Sequence, residues 1–302
     1  MSSLLDVSGL FFYKVQVMSL SGSYKNSIHV TSLAYKTDLS ILAFQGRVED
    51  RGHFIVAESP NNPEYFWGNL LVMKSPPREG DFKKWTDLFY KEFAHQPLVK
   101  HMTFGWDSID GEQGVIEPFL QQGFDLQKSV VLTTSHENLH HPKHCCQGLQ
   151  IKIISSDGDW EAAIQNQISC RGDEFKLEMY LPFKHAQMKK YCDMVKANLG
   201  NWFGAYLDGR LVAECGVFIF DGIGRYQVVG THPEFRRRGI CGNLIFESAR
   251  WAFEHGGARM LVMVADPEYH AAKIYESVGF CPAQKAIGIC QFPKDEWTTN
   301  GK

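Results

Sequence analysis

The chain has 302 residues, about twice the length of an average domain, so we expect two domains of roughly 150 residues each. Hydrophobic residues make up 44% of the sequence and charged residues 22%, which excludes an intrinsically disordered chain. The net charge of -3 argues against a general nucleic-acid-binding protein, because such proteins usually carry an excess of basic residues.

Residues 1–27 are predicted to form an arm or a strand rather than a signal peptide. Their apolar patch, Leu10–Phe12, is short and follows no basic segment. No stretch of the chain reaches the ~18 apolar residues of a membrane-spanning helix. The eight cysteines are irregularly spaced in a long chain, which favours reduced thiols over a disulfide scaffold. We therefore expect a soluble, cytoplasmic protein without a membrane partner.

Residues 28–134 alternate between strand-like and helix-like segments and are predicted to form a first α/β domain. Strands are expected over Val99–Trp106 and Ser129–Thr133. The aromatic run Tyr65-Phe66-Trp67 is predicted to be a core strand rather than a platform for a ligand.

Residues 135–148 are predicted to be a linker, because they are polar, contain Pro142 and end on Gly148. Four histidines and two cysteines in this segment have side chains that can bind metal: His136, His140, His141, His144, Cys145 and Cys146. Their spacing fits no standard zinc pattern, and Pro142 interrupts any helix that would align the imidazoles. A solvated linker is the simpler interpretation, and we predict no metal site.

Residues 149–302 are predicted to form a second α/β domain. In chain order we expect a strand at 149–154, helices at 157–167 and 185–199, strands at 201–207, 211–220 and 225–231, a helix at 239–255, a strand at 259–265, a helix at 270–277 and a strand at 286–292. The Asp208-Gly209 turn predicts a hairpin. Hairpins followed by alternating helices and strands indicate a mixed, mostly antiparallel sheet flanked by helices.

The first half repeats the later part of this pattern. The Gly-Phe pair at 123–124 matches the pair at 279–280, and a strand-like segment follows each. Gly80 and Asp107 are 27 positions apart, as are Gly239 and Asp266. We interpret the chain as a tandem duplication, with a chance alternation of helices and strands as the alternative.

The segment Tyr226–Leu244 places a strand, a short turn, a basic loop with a glycine and a helix in direct succession. The first N–H groups of a helix lack partners within it, and the helix dipole favours anions. Gly239 allows a close approach to the backbone, and three arginines at 236–238 supply donors that match phosphate oxygens. Together these features predict a diphosphate site. A solvated basic turn and a nucleic-acid patch are the alternatives.

These residues resemble the Arg/Gln-x-x-Gly-x-Gly/Ala signature of the GNAT superfamily of acyl-CoA-dependent N-acetyltransferases, with Arg236 and Gly239 in the matching positions. The segment His270–Phe280 resembles the family's Asn-x-x-Ala-x-x-x-Tyr-x-x-x-Gly-Phe motif. The resemblance covers roughly Leu149–Phe292. The sequence departs from it at Cys241, where a second Gly or Ala is usual, and at His270, where Asn is usual.

The resemblance implies tandem GNAT-like domains and an acetyl-CoA site in the second one. The strand ending at Thr231 would separate from its neighbour at 259–265, and the pantetheine arm would lie in the gap. The residues expected to bind acetyl-CoA are Val228, Val229, Gly230, Thr231, Arg236, Arg237, Arg238, Gly239, Ile240, Cys241, Gly242, Asn243, His270 and Lys273.

The same resemblance makes Tyr275 the acid that protonates the departing thiolate, with a core aromatic as the alternative role. Many relatives carry a Glu on the strand before the phosphate loop, but residues 225–231 contain no carboxylate. The base therefore stays open between Glu214, His232 and a chain of waters.

The first half is predicted to be a degenerate, non-catalytic copy. Glu79 and Asp81 flank Gly80 in its counterpart loop and would repel a diphosphate. Phe119 stands where Tyr275 stands in the second half, so the hydroxyl is missing.

The predicted function is that of an N-acetyltransferase that moves an acetyl group from acetyl-CoA to a primary amine by direct attack in a ternary complex. The acceptor is a small molecule or a peptide, and no nucleic acid is expected as a partner. A non-catalytic acyl-CoA-binding or regulatory protein is the alternative. The sequence predicts neither the acceptor's identity nor the oligomeric state.

Overall fold

A computed structural model describes residues 29–268 and 270–299, so the predicted arm at 1–27 lies outside the described residues. The strands in chain order are β1 (Arg47–Asp50), β2 (Phe54–Glu58), β3 (Leu70–Met73), β4 (Met102–Trp106), β5 (Asp125–Thr134), β6 (Gln150–Ile153), β7 (Gly200–Leu207), β8 (Arg210–Phe220), β9 (Ile223–Thr231), β10 (Met260–Ala265) and β11 (Cys281–Gln291). The helices are α1 (Leu33–Ala43), α2 (Asp81–Phe93), α3 (Glu117–Leu120), α4 (Asp157–Cys170), α5 (Leu177–Lys196), α6 (Ile240–Glu254), α7 (Ala271–Glu276) and α8 (Lys294–Trp297).

The strands form one mixed sheet of eleven strands, in the order β1-β2-β3-β4-β11-β5-β10-β9-β8-β7-β6. The pairs β3–β4 and β9–β10 are parallel, and the other neighbouring pairs are antiparallel. This confirms the predicted mixed, mostly antiparallel sheet flanked by helices. None of the helices in the described part of the chain has the length and hydrophobicity needed to cross a lipid bilayer.

Helices cover both faces of the sheet because its strands alternate buried side chains between two cores. In β10, Leu261 and Met263 pack under α6, whereas Val262 packs under α1. The α1 face also carries α4 and α5, and the α6 face carries α2, α3 and α7.

The two halves exchange their last strands. β5, from the first half, pairs with β10 of the second half through Leu261↔Thr134. β11, from the second half, pairs with β4 of the first half through Gly288↔Gly105. β5 and β11 also pair with each other, from Cys281↔Thr133 to Cys290↔Asp125. The sheet thus runs through both halves, and domain boundaries at 134 and 149 stay a prediction.

The geometry of the two halves supports the interpretation as a duplication. Gly80 and Gly239 both precede a helix in the left-handed conformation, with φ of 81° and 78°. Phe124 N donates to Phe119 O at 3.2 Å, and Phe280 N donates to Tyr275 O at 3.2 Å. The same turn therefore follows the short helix in each half.

Two local predictions were wrong. Phe66–Gly68 is a 3-10 helix and not a core strand, because the Asn69 amide binds the carbonyls of Asn62 and Tyr65 and holds this segment in successive turns. The second helix of the second half, α5, begins at Leu177 rather than at 185, and Pro182 lies inside it.

Candidate functional site

The parallel strands β9 and β10 separate after a short stretch of pairing. Ladder pairs join Ile223–Arg225 to Met260–Val262, but β9 continues to Thr231 without further pairing to β10. A bulge against β8 contributes, because it bends β9 and places Val228 at a φ of 49°, which is rare for a β-branched residue. A gap between the two strands follows, as the family resemblance implied.

The gap opens at the N-terminus of α6. The chain leaves β9 through a 3-10 turn at Pro233–Phe235 and enters α6 through Gly239. Asn243 N donates to Gly239 O at 3.2 Å, the first such bond of the helix. In the described chain, no acceptor meets the N–H groups of residues 239–242. These groups are available to an anion.

A cavity of about 750 Å³ joins the gap to this helix end. Most of the residues predicted to bind the cofactor line it: Val229, Gly230, Thr231, Arg236, Arg237, Gly239, Ile240, Cys241, Gly242 and His270. Tyr275 lines it as well. The family resemblance therefore selected residues that the fold brings together.

Four residues of that predicted set lie outside the cavity lining. Val228 packs with the α4–α5 core on the other face of the sheet. Arg238 donates to Glu234 O at 3.3 Å, Asn243 donates through Nδ2 to His144 O at 2.8 Å, and Lys273 is exposed on α7.

Among the residues that the structure describes, the charges that line the cavity are all positive. Lys143, Arg236 and Arg237 contribute cations, and no Asp or Glu of the described ranges lines the cavity. A hydrogen bond to the backbone orients the Arg236 side chain, since its Nε donates to Thr231 O at 3.1 Å. A cavity with this lining favours a polyanionic ligand, although the chain as a whole is slightly acidic.

Glu214 lies on β8 directly opposite Gly230, which lines the cavity. Its side chain is fully buried and accepts hydrogen bonds from Trp202 Nε1 at 2.7 Å and from the Gln167 amide. Burial raises the pKa of Glu214 to about 7, and the hydrogen bonds from Gln167 and Trp202 oppose this rise only in part. The carboxyl group is therefore close to half-ionised at neutral pH.

The second candidate base, His232, points away from the cavity. Its ring lies between the Arg210 guanidinium, at 3.1 Å from Nε2, and the Glu234 N–H, at 3.3 Å from Nδ1. The cavity lining does not include it.

Tyr275 and Cys241 occupy the wall of the cavity. Tyr275 is 5% exposed and packs edge-on against Phe280 at 6.4 Å. Burial raises the pKa of the Cys241 thiol to about 12, so at neutral pH it stays protonated and is a poor nucleophile.

Comparisons with known proteins match most of the second half to a protein family. Residues 169–280 match the sequence model of the acetyltransferase (GNAT) family. The chain carries a GNAT domain. Its matched range contains β9, the basic loop, α6 and α7, which together form most of the cavity. No curated protein matches the chain.

Solved structures share the fold over nearly their whole length. A functionally unknown conserved protein from Staphylococcus epidermidis is 15% identical with a TM-score of 0.65, covering 82% of this chain and 94% of that one. A GCN5-related N-acetyltransferase from Kribbella flavida is 18% identical with a TM-score of 0.61, covering 86% and 96%. At these identities the likeness concerns the fold, and it extends beyond the GNAT domain into the first half.

The corresponding strands of the first half do not separate. β3 and β4 stay paired to the end of both strands, where Met73 pairs with Trp106. At the counterpart of the basic loop, the Asp81 carboxylate accepts from Arg78 N at 2.8 Å and so takes the place of an anion. These features agree with the prediction of a degenerate copy.

Sequence reasoning missed the contribution of the segment 135–148 to the site. Most of its residues are exposed, as expected for a linker, but Leu139 and Cys146 pack against the core of the GNAT domain, and Pro142, Lys143 and His144 line the cavity. Among residues 29–268 and 270–299, no group of three His, Cys, Asp or Glu side chains is placed to hold a metal ion. No signal in the sequence assigns this segment to the site, because its partners lie about a hundred positions further along the chain.

Proposed function

We propose that the protein is an N-acetyltransferase that transfers an acetyl group from acetyl-CoA to a primary amine. One observation carries the proposal: the gap between β9 and β10 opens onto a helix N-terminus whose surroundings are cationic and, over residues 29–268 and 270–299, contain no carboxylate. The N–H groups at 239–242, with Arg236 and Arg237, bind the diphosphate. The unpaired edge of β9 at 229–231 binds the pantetheine arm as an added strand would bind.

Of the predicted set, Val228, Arg238, Asn243 and Lys273 act indirectly in this proposal. Val228 shapes the bulge that opens the gap, and Arg238 braces the loop through Glu234 O. Asn243 holds the neighbouring segment through His144 O. Lys273 contributes a positive charge on α7, the helix that also carries Tyr275.

We propose Glu214 as the group that accepts the proton of the amine. An alkylammonium has a pKa of ~10.4, so its deprotonation at pH 7 costs about 4–5 kcal/mol without help. The pKa of Glu214, at about 7, is matched to this task. Gly230 has no side chain, and a Cβ atom there would lie 2.7 Å from Gln167 Nε2 and 3.2 Å from Glu214 Oε1. In this proposal the proton of the amine reaches the carboxylate past Gly230 through one water, once the Gln167 amide moves aside. His232 lies outside the cavity and is the weaker candidate.

The surroundings of Glu214 suit both of its protonation states. Trp202 and Gln167 donate to the carboxylate. Asn166 Nδ2 lies 3.4 Å from Glu214 Oε1, while Asn166 Oδ1 is buried without a partner. A rotation of this amide turns Oδ1 toward Glu214 and provides an acceptor once the carboxyl group is protonated.

We propose Tyr275 as the acid for the leaving group. The amine nitrogen bonds to the acetyl carbon, the carbon–sulfur bond breaks, and the sulfur takes the pair of electrons. Tyr275 donates a proton to that sulfur, and Glu214 takes the proton from nitrogen. No covalent bond to the protein forms, so the two substrates meet in a ternary complex.

The alternative is a protein that binds acyl-CoA without turnover. It was suggested by the missing carboxylate on residues 225–231, and Glu214 on the adjacent strand supplies that carboxylate from another position.

We also propose that the first half is non-catalytic and supports the GNAT domain through β5. We propose further that the protein works in the cytoplasm, as its cysteine spacing indicates.

The test has two parts. Calorimetric titration with coenzyme A measures binding, and release of free thiol from acetyl-CoA in the presence of a panel of small amines and peptides measures turnover. We expect micromolar to millimolar binding and amine-dependent thiol release. Absence of binding at millimolar coenzyme A would contradict the whole proposal, and binding without turnover on any amine would support the alternative.

A further inference from the structure

The segment 135–148, which connects the two halves, runs along α6 from its end to its beginning. The His136 ring lies 5.5 Å from that of Phe253, near the end of α6. The His141 ring lies 4.2 Å from that of Phe246, about two turns earlier. This connecting segment therefore follows the helix toward the cavity.

The connecting segment is fixed at both ends of this path. A Cβ atom on Gly279 would overlap Asn138 O, so the chain passes directly over the turn after α7. At the start of α6, Asn243 Nδ2 donates to His144 O at 2.8 Å, and a Cβ atom on Gly239 would lie 2.8 Å from the same oxygen. The glycine that opens α6 thus admits the connecting segment as well as the anion.

The strand exchange explains why the chain takes this route. β5 ends in the middle of the sheet, between β10 and β11, whereas β6 is the edge strand at the far side of β7. The chain between them has to cross β10, β9, β8 and β7, and it does so on the α6 face. It therefore passes the end of the gap between β9 and β10.

Lys143 brings a cation into the cavity from this segment. It lines the cavity together with Pro142 and His144 and lies outside residues 169–280, which match the family. Among the described residues it forms no ion pair, and no carboxylate lines the cavity beside it. Arg236 and Arg237, by contrast, belong to the loop before α6.

We propose that Lys143 binds the ribose 3'-phosphate of coenzyme A, with the connecting segment as a wall of the nucleotide site. This inference rests on the proposed use of acetyl-CoA. Coenzyme A carries phosphate at two places, the diphosphate and the 3'-phosphate. The helix N–H groups, Arg236 and Arg237 account for the diphosphate, so the remaining cation of the cavity faces the remaining phosphate.

The test compares two ligands and three proteins by calorimetric titration. The ligands are coenzyme A and 3'-dephospho-coenzyme A, which lacks only the phosphate in question. The proteins are the wild type, Lys143→Gln and Lys91→Gln. Lys91 is an exposed lysine on α2 and controls for the loss of one positive charge at a site away from the cavity. Thermal unfolding checks that each variant is folded.

We expect Lys143→Gln to weaken coenzyme A roughly fivefold, the loss of about one charge-assisted contact at an exposed position. Dephospho-coenzyme A should bind Lys143→Gln and wild type equally, and Lys91→Gln should match the wild type with both ligands. The effect of Lys143→Gln on the binding free energy of coenzyme A, minus its effect on that of dephospho-coenzyme A, then measures the coupling of Lys143 to the 3'-phosphate.

Equal weakening of both ligands by Lys143→Gln would overturn the inference, since it would move the contact to the diphosphate. Unchanged affinity for both would overturn it too, because the connecting segment would then bind no phosphate. Failure of the wild type to bind either ligand is a different result, and it would contradict the proposed function itself.

Discussion

Glu214 and Gly230 face each other on neighbouring strands, and a Cβ atom placed on Gly230 would lie 3.2 Å from Glu214 Oε1. A buried carboxyl group thus lies beside a cavity-lining residue without a side chain, and the Gln167 amide packs against both, since its Nε2 would lie 2.7 Å from the same Cβ atom. This relationship links a chemical group inside the core to the cavity proposed to bind the amine, and it leads to the first two predictions.

Replacing Glu214 by Gln should lower kcat/KM by roughly 10²- to 10⁴-fold, because the amide cannot accept the proton of the amine. In the wild type, kcat/KM should rise with pH and level off above a pKa of about 7, since only the ionised carboxylate is a base. The measurement is the pH–rate profile of both proteins. Glu234→Gln, on an exposed turn outside the cavity, is the matched control. A wild-type acidic limb that persists in Glu214→Gln would remove Glu214 from the mechanism.

The same carboxyl group should leave a signature in stability. Its pKa is raised from 4.5 in the unfolded chain to about 7 in the fold, so the native state holds more protons than the unfolded state between these values. The contribution of Glu214 to stability is therefore largest below pH 4.5 and decreases as the pH rises to 7.

Urea unfolding between pH 4.5 and 8 measures this effect as the difference between wild type and Glu214→Gln. The difference also cancels the opposite trend of His101, whose pKa burial lowers to about 4. A difference that is constant over this range would show that Glu214 is ionised throughout, contrary to our expectation.

Tyr275→Phe should lower kcat by roughly 10²-fold or more while the dissociation constant for coenzyme A changes by less than about twofold. The variant loses only the hydroxyl, and the ring continues to pack against Phe280. Tyr206→Phe is the control, because its hydroxyl binds Asp159 Oδ1 outside the cavity. Steady-state kinetics measure kcat, and calorimetric titration measures the dissociation constant, for both variants. Full turnover in Tyr275→Phe would show that this residue has a purely structural role.

Gly239→Ala should weaken coenzyme A binding at least tenfold. The substitution costs about 1–2 kcal/mol because φ is 78°, and the new methyl group would lie 2.8 Å from His144 O. Gly80→Ala is a matched control, since Gly80 opens α2 with a φ of 81° and has no neighbour within 4 Å. Both variants should lose stability in thermal unfolding through the strained φ, and Gly239→Ala should lose more because of its contact with His144 O, but only Gly239→Ala should lose affinity. Equal affinities in the two variants would argue against anion binding at the start of α6.

The sequence was sufficient for the parts of the site that are local in the chain. The loop Arg236–Gly242 and the helix carrying Tyr275 both lie in the second half of the chain. The arginines and glycines of the loop indicate an anion site, and the tyrosine indicates a candidate proton donor. Glu214 could not be chosen over His232 in advance, because the choice depends on Trp202, on Gln167 and on a strand register. Lys143 could not be predicted either, because only the contacts between its segment and α6 bring it to the cavity.

Some local errors have equally local causes. Tyr65-Phe66-Trp67 has the composition of a strand, but one side chain, that of Asn69, binds carbonyls on either side of a turn and imposes a 3-10 helix. The helix α5 begins before the predicted residue 185 and includes Pro182, because Lys184, Met188 and Tyr191 on the same helix are buried in the core. Local side-chain hydrogen bonds outweighed strand propensity in the first place, and tertiary packing outweighed helix propensity in the second.

The exchange of β5 and β11 sets the order in which this protein can be completed on the ribosome. β4 has an open edge until β11 emerges, which happens only after β5–β10 have been synthesised, so the first half exposes unpaired backbone throughout that interval. Removing residues 281–291 would divide the sheet into β1–β4 and β5–β10. A GNAT domain without β11 and an isolated first half would therefore each be left with an unpaired strand edge that favours aggregation, and both edges are paired only when β11 lies between β4 and β5.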